Sequence, residues 1–168
     1  SVSEQALMKP IPDAISGLQR LQSLTLKNCH LLGPLPSALF TLRHLTELNL
    51  NYNDLSGSIP ADISKLSNLQ YIGMQWNAVD GSLPLEMSSL NKLTTLGLSH
   101  NALSGWLPGF LTRLSNLAIL SLSYNSFTGP LPDIFSQLQR LSQLYLEYNR
   151  LQGSIPSSLG ALSQLRIL

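Results

Sequence analysis

The amino-acid sequence predicts an α/β solenoid, a coil of stacked units with a parallel sheet on its concave side and short 3-10 helical turns on its convex side. The main observation is a repeat of 24 residues that recurs without insertion or deletion and opens each time with a leucine. These leucines are Leu18, Leu42, Leu66, Leu90, Leu114, Leu138 and Leu162. Because one such unit cannot bury its apolar face alone, consecutive units are expected to stack.

The repeat also sets the domain organisation. We interpret residues 1–168 as one repeat domain with a partial repeat at 1–17, six 24-residue repeats at 18–161 and a truncated repeat at 162–168. The partial repeat is marked by Val2, Leu7 and Pro12. Neither end has a capping unit with a polar outer face, so we expect the chain to be an internal piece of a longer array.

Each unit begins with a short strand. In Leu48-Asn49-Leu50 the apolar residues alternate with a polar one, and this period of two places the leucines on the inward side. Equivalent strands are expected to form a parallel sheet, so that residues 24 positions apart lie about 4.8 Å from each other. Leu98 belongs to the same inward set and is a predicted core residue.

An asparagine follows each strand at the same position: Asn53, Asn77, Asn101, Asn125 and Asn149. We expect these amides to satisfy backbone groups at a buried turn, where an unpaired polar group would be costly. Cys29 takes the equivalent position one unit earlier, and the repeat pattern accepts Asn or Cys there. Cys29 is therefore predicted to be a buried structural thiol rather than a reactive or metal-binding one.

The second half of each unit turns the chain back toward the next strand. A glycine suited to positive φ recurs at Gly33, Gly57, Gly81, Gly105, Gly129 and Gly153. A proline follows three positions later and fixes the chain direction. Apolar residues then close the back of the core at Ile15, Leu39, Ile63, Met87, Leu111, Phe135 and Leu159. The short distance to the next strand favours a 3-10 turn here.

Together these positions resemble the plant-specific class of leucine-rich repeat, whose phrase is LxxLxxLxLxxNxLxGxIPxx. NDLSGSIP at 53–60 and NRLQGSIP at 149–156 are near-verbatim instances. The resemblance implies a right-handed array with a second small sheet beside LxGxIP. It also implies a recognition module of the kind found in the ectodomains of receptor kinases, in receptor-like proteins and in inhibitors of polygalacturonases.

The resemblance implies an extracellular or cell-surface location. Two features depart from the secreted members, because the chain has a single cysteine and no Asn-x-Ser/Thr sequon. An intracellular or organellar scaffold that uses the array for assembly therefore stays open as the alternative. Within this chain no run of about 18 apolar residues predicts a membrane span.

Composition and motifs argue against other functions. The net charge is +1, charged residues make up 11%, and no Lys/Arg run is present, so we expect no nucleic-acid partner. His30, His44 and His100 fall at three different repeat phases, and no nucleophile, phosphate-loop or zinc motif occurs. We therefore predict no catalytic residues, no metal site, no cofactor and no enzymatic activity.

A ligand is expected on the outward residues of the strands, which form the concave face of a solenoid. The predicted binding residues are Glu47, Tyr52, Tyr71, Gln75, Trp76, His100, Tyr124, Tyr145, Glu147 and Tyr148. Tyr52, Trp76, His100, Tyr124 and Tyr148 share one repeat position, and we call them the aromatic column. Aromatic residues are enriched at binding hot spots, although Tyr and His could also be tolerated there without a role.

The expected ligand is a protein or peptide, a glycan stays open, and so does a co-receptor or assembly partner. Gly73 and Gly97 beside Trp76 suggest a shallow recess. Trp106 in GWLP lies on the flank, where it is expected to cover the second sheet or to contact a lateral partner.

Overall fold

The computed structural model describes residues 8–133 and 135–168. Val2 and Leu7 of the predicted partial repeat lie outside the described residues. In the described part, each unit consists of a strand, a second strand and a 3-10 helix, in that order. The described residues contain no helix that is long and apolar enough to cross a membrane.

The first sheet carries the concave face. Its parallel strands are β1 (Ser23–Thr25), β3 (Glu47–Asn49), β5 (Tyr71–Gly73), β7 (Thr95–Gly97), β9 (Ile119–Ser121) and β11 (Gln143–Tyr145). Leu48 pairs with Ile72, and the same offset of 24 residues applies along the whole sheet, as the repeat predicts. Ile167 adds a parallel bridge to Gln143.

A second parallel sheet runs beside the first. Its strands are β2 (Leu32–Gly33), β4 (Asp54–Ser58), β6 (Ala78–Gly81), β8 (Ala102–Trp106), β10 (Ser126–Pro130) and β12 (Arg150–Gln152). Here the paired residues are 22 positions apart, as in Ser56 with Ala78. The repeated glycine of each unit has a φ between 73° and 85°, a left-handed conformation that glycine adopts without a steric penalty.

The 3-10 helices form the opposite, convex side. They span Asp13–Gly17, Ser37–Thr41, Ala61–Lys65, Leu85–Ser89, Gly109–Arg113, Phe135–Gln137 and Ser157–Ala161. Prolines with φ between −78° and −68° precede all of these except Phe135–Gln137 and set the entry direction. The seven apolar residues predicted at the back of the core are all buried.

The core is one continuous apolar layer between the first sheet and the 3-10 helices. Leu48, Leu96, Leu98 and Leu144 are completely inaccessible to solvent, which confirms the inward set of leucines. Each unit therefore supplies one slice of the core and covers the slice of its neighbour, so the units are stable only when stacked.

The asparagines form a ladder that ties consecutive units together. Asn53 Oδ1 accepts hydrogen bonds from the backbone N–H groups of Cys29 and Leu31, both at 3.0 Å. Its Nδ2 donates to the carbonyls of Leu26 at 2.7 Å and Leu50 at 2.9 Å. The Oδ1 of each later asparagine accepts one backbone N–H of the preceding unit, and each Nδ2 donates to carbonyls of two units, which satisfies backbone groups that would otherwise be buried without a partner.

Cys29 is less buried than its position in the ladder suggests. Its side chain is half-buried and free, and the thiol donates a weak hydrogen bond to the carbonyl of Lys27 at 3.4 Å. The predicted burial of this thiol is therefore only partial, although the side chain packs against the core. Unlike an asparagine, Cys29 has no amide that could reach several backbone groups at once.

Candidate functional site

The residues of the aromatic column share an unusual backbone conformation. Each precedes a ladder asparagine, and each has a φ between 52° and 57°. This left-handed conformation costs a bulky residue roughly 1–2 kcal/mol, because its Cβ approaches the backbone. The turn thus points each aromatic side chain outward along the edge of the first sheet, at an energetic cost that some other interaction must offset.

That interaction is stacking between the rings. The ring centroids of Trp76 and His100 are 3.6 Å apart, and those of His100 and Tyr124 are 4.1 Å apart. Tyr148 stacks on Tyr124 at 4.1 Å, whereas Tyr52 lies 6.0 Å from Trp76. The planes differ by only 10° to 15°. Each stacked pair contributes about 0.5–1.5 kcal/mol, which is comparable to the backbone cost.

The stack determines which parts of the rings a ligand can reach. Both faces of Trp76, His100 and Tyr124 are turned toward neighbouring rings, so their edges face the solvent. At one end, the Lys27 ammonium lies 5.2 Å from the centre of the Tyr52 ring. At the other end Tyr148 is 69% exposed. The column therefore offers a row of polar ring edges rather than a series of open faces.

The surroundings of Tyr124 raise the pKa of its hydroxyl. Partial burial, together with the neighbouring Tyr148 and the negative charge of Glu147, raises the pKa of Tyr124 above its ordinary value of 10.0. The Tyr124 hydroxyl therefore remains protonated at neutral pH, and it can both donate and accept a hydrogen bond at the edge of the column.

The expected recess over Gly73 and Gly97 is already filled by two predicted site residues. A Cβ at Gly73 would lie 2.6 Å from the Tyr71 hydroxyl, and one at Gly97 would lie 2.9 Å from the Gln75 amide. Asn51 holds this arrangement, since its Nδ2 is 3.3 Å from the Tyr71 hydroxyl and its Oδ1 accepts the Gln75 backbone N–H at 2.7 Å. The glycines thus make room for folded-back side chains, and the predicted open recess is wrong.

An open cavity lies further along the concave face, beside strands β7, β9 and β11. It has a volume of about 310 Å³ and is lined by Gln75, Trp76, Ser99, His100, Ser121, Ser123, Tyr124, Tyr145 and Glu147. We call it the concave cavity. It is at the small end of the range of ligand pockets, about 300–1,000 Å³. Six of the ten predicted site residues line it.

Three serines form what we call the serine floor of this cavity. Ser99, Ser121 and Ser123 are only 6%, 9% and 3% exposed, and the hydroxyls of Ser99 and Ser121 are 2.6 Å apart. Sequence reasoning missed them, although two successive strands carry small residues at both middle outward positions, Gly97 with Ser99 and then Ser121 with Ser123. That run of small residues between Gln75 and Glu147 is the signal that could have revealed the cavity.

The four remaining predicted residues lie around the cavity or away from it. Tyr71 lies flat over Gly73, and Tyr52 and Tyr148 form the two ends of the aromatic column. Glu47 is on β3, where its carboxylate accepts a hydrogen bond from the Ser23 hydroxyl at 2.9 Å. The strand register aligns Glu47 with Gln143 rather than with Glu147, so the two carboxylates lie in different columns.

The described residues offer no metal centre. Across them, no three His, Cys, Asp or Glu side chains come together as ligands for a metal ion. His30 Nδ1 is 3.8 Å from the exposed carboxylate of Asp54. His100 is the histidine that reaches the concave cavity.

Trp106 lies on the second sheet. A Cβ at Gly129 would come within 2.9–3.1 Å of three atoms of the Trp106 indole, so the ring lies directly over this glycine. The side chain nevertheless remains 70% exposed. This contact agrees with the expectation that Trp106 covers the second sheet. The exposed part of its ring also leaves room for a contact with a lateral partner.

Comparison with known proteins agrees with the repeat architecture. The family model described as leucine rich repeat matches residues 19–79, 91–151 and 115–168. Among solved structures, the plant peptide hormone receptor RGFR1 in complex with RGF2 is 34% identical with a TM-score of 0.92, over 95% of this chain and 26% of the receptor. A TDR receptor is 38% identical with the same TM-score, over 95% of this chain and 28% of that one.

A third match is the Arabidopsis receptor kinase HAESA in complex with the peptide hormone IDA and the co-receptor SERK1. It is 32% identical with a TM-score of 0.92, over 95% of this chain and 27% of that one. The chain thus spans about a quarter of the length of these receptor structures. A comparison with curated protein sequences gives no match. The 24-residue repeat, the two parallel sheets and these matches show that the chain belongs to the leucine-rich repeat family and is of the plant type found in receptor-kinase ectodomains.

Proposed function

We propose that this chain is the recognition module of a receptor-like protein and binds a peptide or protein segment on its concave face. The observation that carries the proposal is the concave cavity, with its polar floor and the ordered aromatic column along one side. Preorganised aromatic side chains and a few convergent polar groups are the features that characterise ligand sites.

The comparisons support the same proposal. RGFR1 is described in complex with RGF2, and HAESA in complex with the peptide hormone IDA and the co-receptor SERK1. A peptide ligand, a co-receptor partner and an extracellular or cell-surface location therefore form part of the proposal for this chain. The proposed role is binding, with no catalytic residue assigned.

The geometry of the aromatic column favours a peptide over a glycan. Sugars stack on open aromatic faces, but the faces of the inner rings are turned toward neighbouring rings. Ring edges with hydroxyl, imidazole and indole groups can instead exchange hydrogen bonds with the amides of an extended peptide.

An assembly scaffold inside a cell or organelle is the second candidate. One observation favours it: the sequence has six complete repeats but no Asn-x-Ser/Thr sequon. Such a scaffold would bind a folded partner over a wide surface and would not need the concave cavity.

The direct test compares two tryptophans. Random peptides of about twelve residues, long enough to span the concave face, are selected by display on the immobilised chain, and affinities of the enriched peptides are then measured by fluorescence anisotropy. We expect Trp76→Ala to weaken binding about tenfold or more, because it removes the centre of the recognition surface. Trp106→Ala, on the flank, is the matched control and should leave the affinity unchanged.

Circular dichroism of both variants should match that of the wild-type chain. Equal affinities of the Trp76→Ala variant and the wild type for all enriched peptides would place the binding site elsewhere. Enrichment of no peptide, combined with binding to a folded partner through the flank or the convex side, would favour the scaffold.

A further inference from the structure

The chemistry of the concave cavity specifies the ligand further, if the proposed peptide-binding function holds. The lining residues include one carboxylate, from Glu147, and neither a lysine nor an arginine. The ion pairs found in the described residues are His30–Asp54 and Lys65–Asp62, and neither includes Glu147. Glu147 therefore lines the cavity, and its carboxylate takes part in neither of these ion pairs.

The nearest candidate for a counter-charge in the same column is too distant. Lys27 occupies the same repeat position as Glu147, five strands away. At about 4.8 Å per strand the two side chains are separated by roughly 24 Å. This exceeds the screening length of about 8–10 Å at physiological ionic strength. Lys27 is therefore too distant to pair with Glu147.

The serine floor adds hydrogen-bond acceptors below this carboxylate. The hydroxyls of Ser99 and Ser121 share one hydrogen bond, which leaves further lone pairs on their oxygens. Ser123, the most buried of the three, lines the same cavity. A buried polar floor disfavours an apolar side chain, because such a side chain would desolvate the hydroxyls without replacing their hydrogen bonds.

A ligand group that fits has to supply several donors and a positive charge. A lysine ammonium has three donors and no acceptor, and an arginine guanidinium has five donors. Both sit on long apolar stems, which can pack against the aromatic side chains of Trp76 and Tyr145 that line the cavity. A carboxylate or phosphate would instead be repelled by Glu147.

From this geometry we infer that the concave cavity binds a lysine or arginine side chain of the peptide ligand, with its charged group paired to Glu147 above the serine floor. The aromatic column then contacts the backbone of the peptide, whereas the cavity selects for a lysine or arginine at one position of the peptide sequence.

The test uses the same display library on the full chain. Selections are run in parallel on wild type, Glu147→Gln and Glu86→Gln, the last being a matched loss of one exposed negative charge on the convex 3-10 helix Leu85–Ser89. The peptide most enriched on the wild type is then synthesised with its cationic residue and with norleucine in that place. Affinities of both peptides are measured for all three proteins.

The inference predicts that wild-type selections share a lysine or arginine at one fixed position. Norleucine in that place and Glu147→Gln should each weaken binding about tenfold, and combining them should cost little more, because both remove the same interaction. Glu86→Gln should change the affinity by less than about twofold, as expected for a screened charge on the opposite side of the array.

The results that overturn the inference are distinct from those that overturn the proposed function. If norleucine is tolerated, or if Glu147→Gln keeps the cationic preference, the inference fails, whereas peptide recognition stands as long as Trp76→Ala still reduces binding. If no peptide is enriched on the wild-type chain, or if the chain instead binds glycans on an array, both the inference and the proposed peptide-binding function fail.

Discussion

At the scale of single residues, two neighbouring positions in each unit have opposite effects on stability. The ladder asparagine lowers the energy of the turn by satisfying buried backbone groups of two units. The aromatic residue before it adopts a left-handed conformation that a glycine or asparagine would tolerate more easily. Side chains that remain at such a costly position need a compensating interaction, which the stacked rings provide here.

The ladder can be tested at Asn101, in the middle of the array. Asn101 Oδ1 accepts the Val79 backbone N–H at 2.9 Å, and its Nδ2 donates to Met74 O at 2.8 Å and Leu98 O at 3.0 Å. Asn101→Ala leaves these partners unsatisfied and should lower the free energy of unfolding by about 1–3 kcal/mol. Chemical denaturation followed by circular dichroism measures the loss.

Asn116→Ala is the control for this prediction. Asn116 also donates to a backbone carbonyl, that of Asn91 at 2.7 Å, but it does so at the exposed side of the array, where water can replace it. We expect a loss of less than about 0.5 kcal/mol. Equal losses for Asn101→Ala and Asn116→Ala would show that the ladder has no special structural role.

The sequence predicts some of these residues better than others. The ladder asparagines and the positive φ of the glycines follow from residue type and spacing, because few side chains can perform those roles. The left-handed conformation of the aromatic residues was not predicted, since nothing in a Tyr or Trp indicates it. The serine floor was missed as well, because a hydroxyl at an outward position is buried only when its larger neighbours surround it.

At the scale of elements, the two sheets differ in what sets their geometry. The first sheet has the offset of 24 residues that the repeat dictates, whereas strands of the second sheet pair at an offset of 22. In the second sheet each unit reaches its neighbour through the turn at the repeated glycine. The existence of that sheet was implied by the family resemblance and is confirmed, but a short GxIP segment alone does not reveal its register.

Gly129 in β10 tests how the second sheet is covered. Gly129→Ala places a methyl group at positive φ and against the Trp106 indole, whereas Gly105→Ala meets only Ser82 Cβ at 3.5 Å. Both substitutions should cost about 1 kcal/mol through the backbone. We expect a further loss at Gly129 in thermal or chemical unfolding, because the indole must move.

A double-mutant cycle isolates that contact. In a Trp106→Ala background the extra cost of Gly129→Ala should disappear, so that both glycine substitutions cost the same. If Gly129→Ala is still the more destabilising one without the indole, Trp106 does not cover this strand.

At the scale of the whole molecule, stability is a sum over units and the contacts between them. Leu98 in the central part of the array is completely buried, and Leu98→Ala should cost about 2–5 kcal/mol because it leaves a cavity in the continuous core. Leu85→Ala, at a position that is mostly exposed, should change stability by less than about 0.5 kcal/mol. Denaturation midpoints that shift equally for both variants would contradict the core assignment.

The whole-molecule fold is predictable because every unit has the same length and the same inward residues. A fixed period leaves stacking as the one way to bury all the leucines at once. The ligand is far less predictable, since the outward residues vary from unit to unit and the fold does not constrain them. Six of the ten predicted site residues line the concave cavity, but the shape of that cavity depends on how Tyr71 and Gln75 fold back over their glycines.

The most direct test of the central claim is a crystal structure of this chain with the display-selected peptide that binds it most tightly. We expect an extended peptide on the first sheet, in contact with the edges of Trp76 and Tyr124 and with one side chain in the concave cavity. A peptide bound on the second sheet at Trp106, or on the 3-10 helices, with the cavity still open, would contradict it.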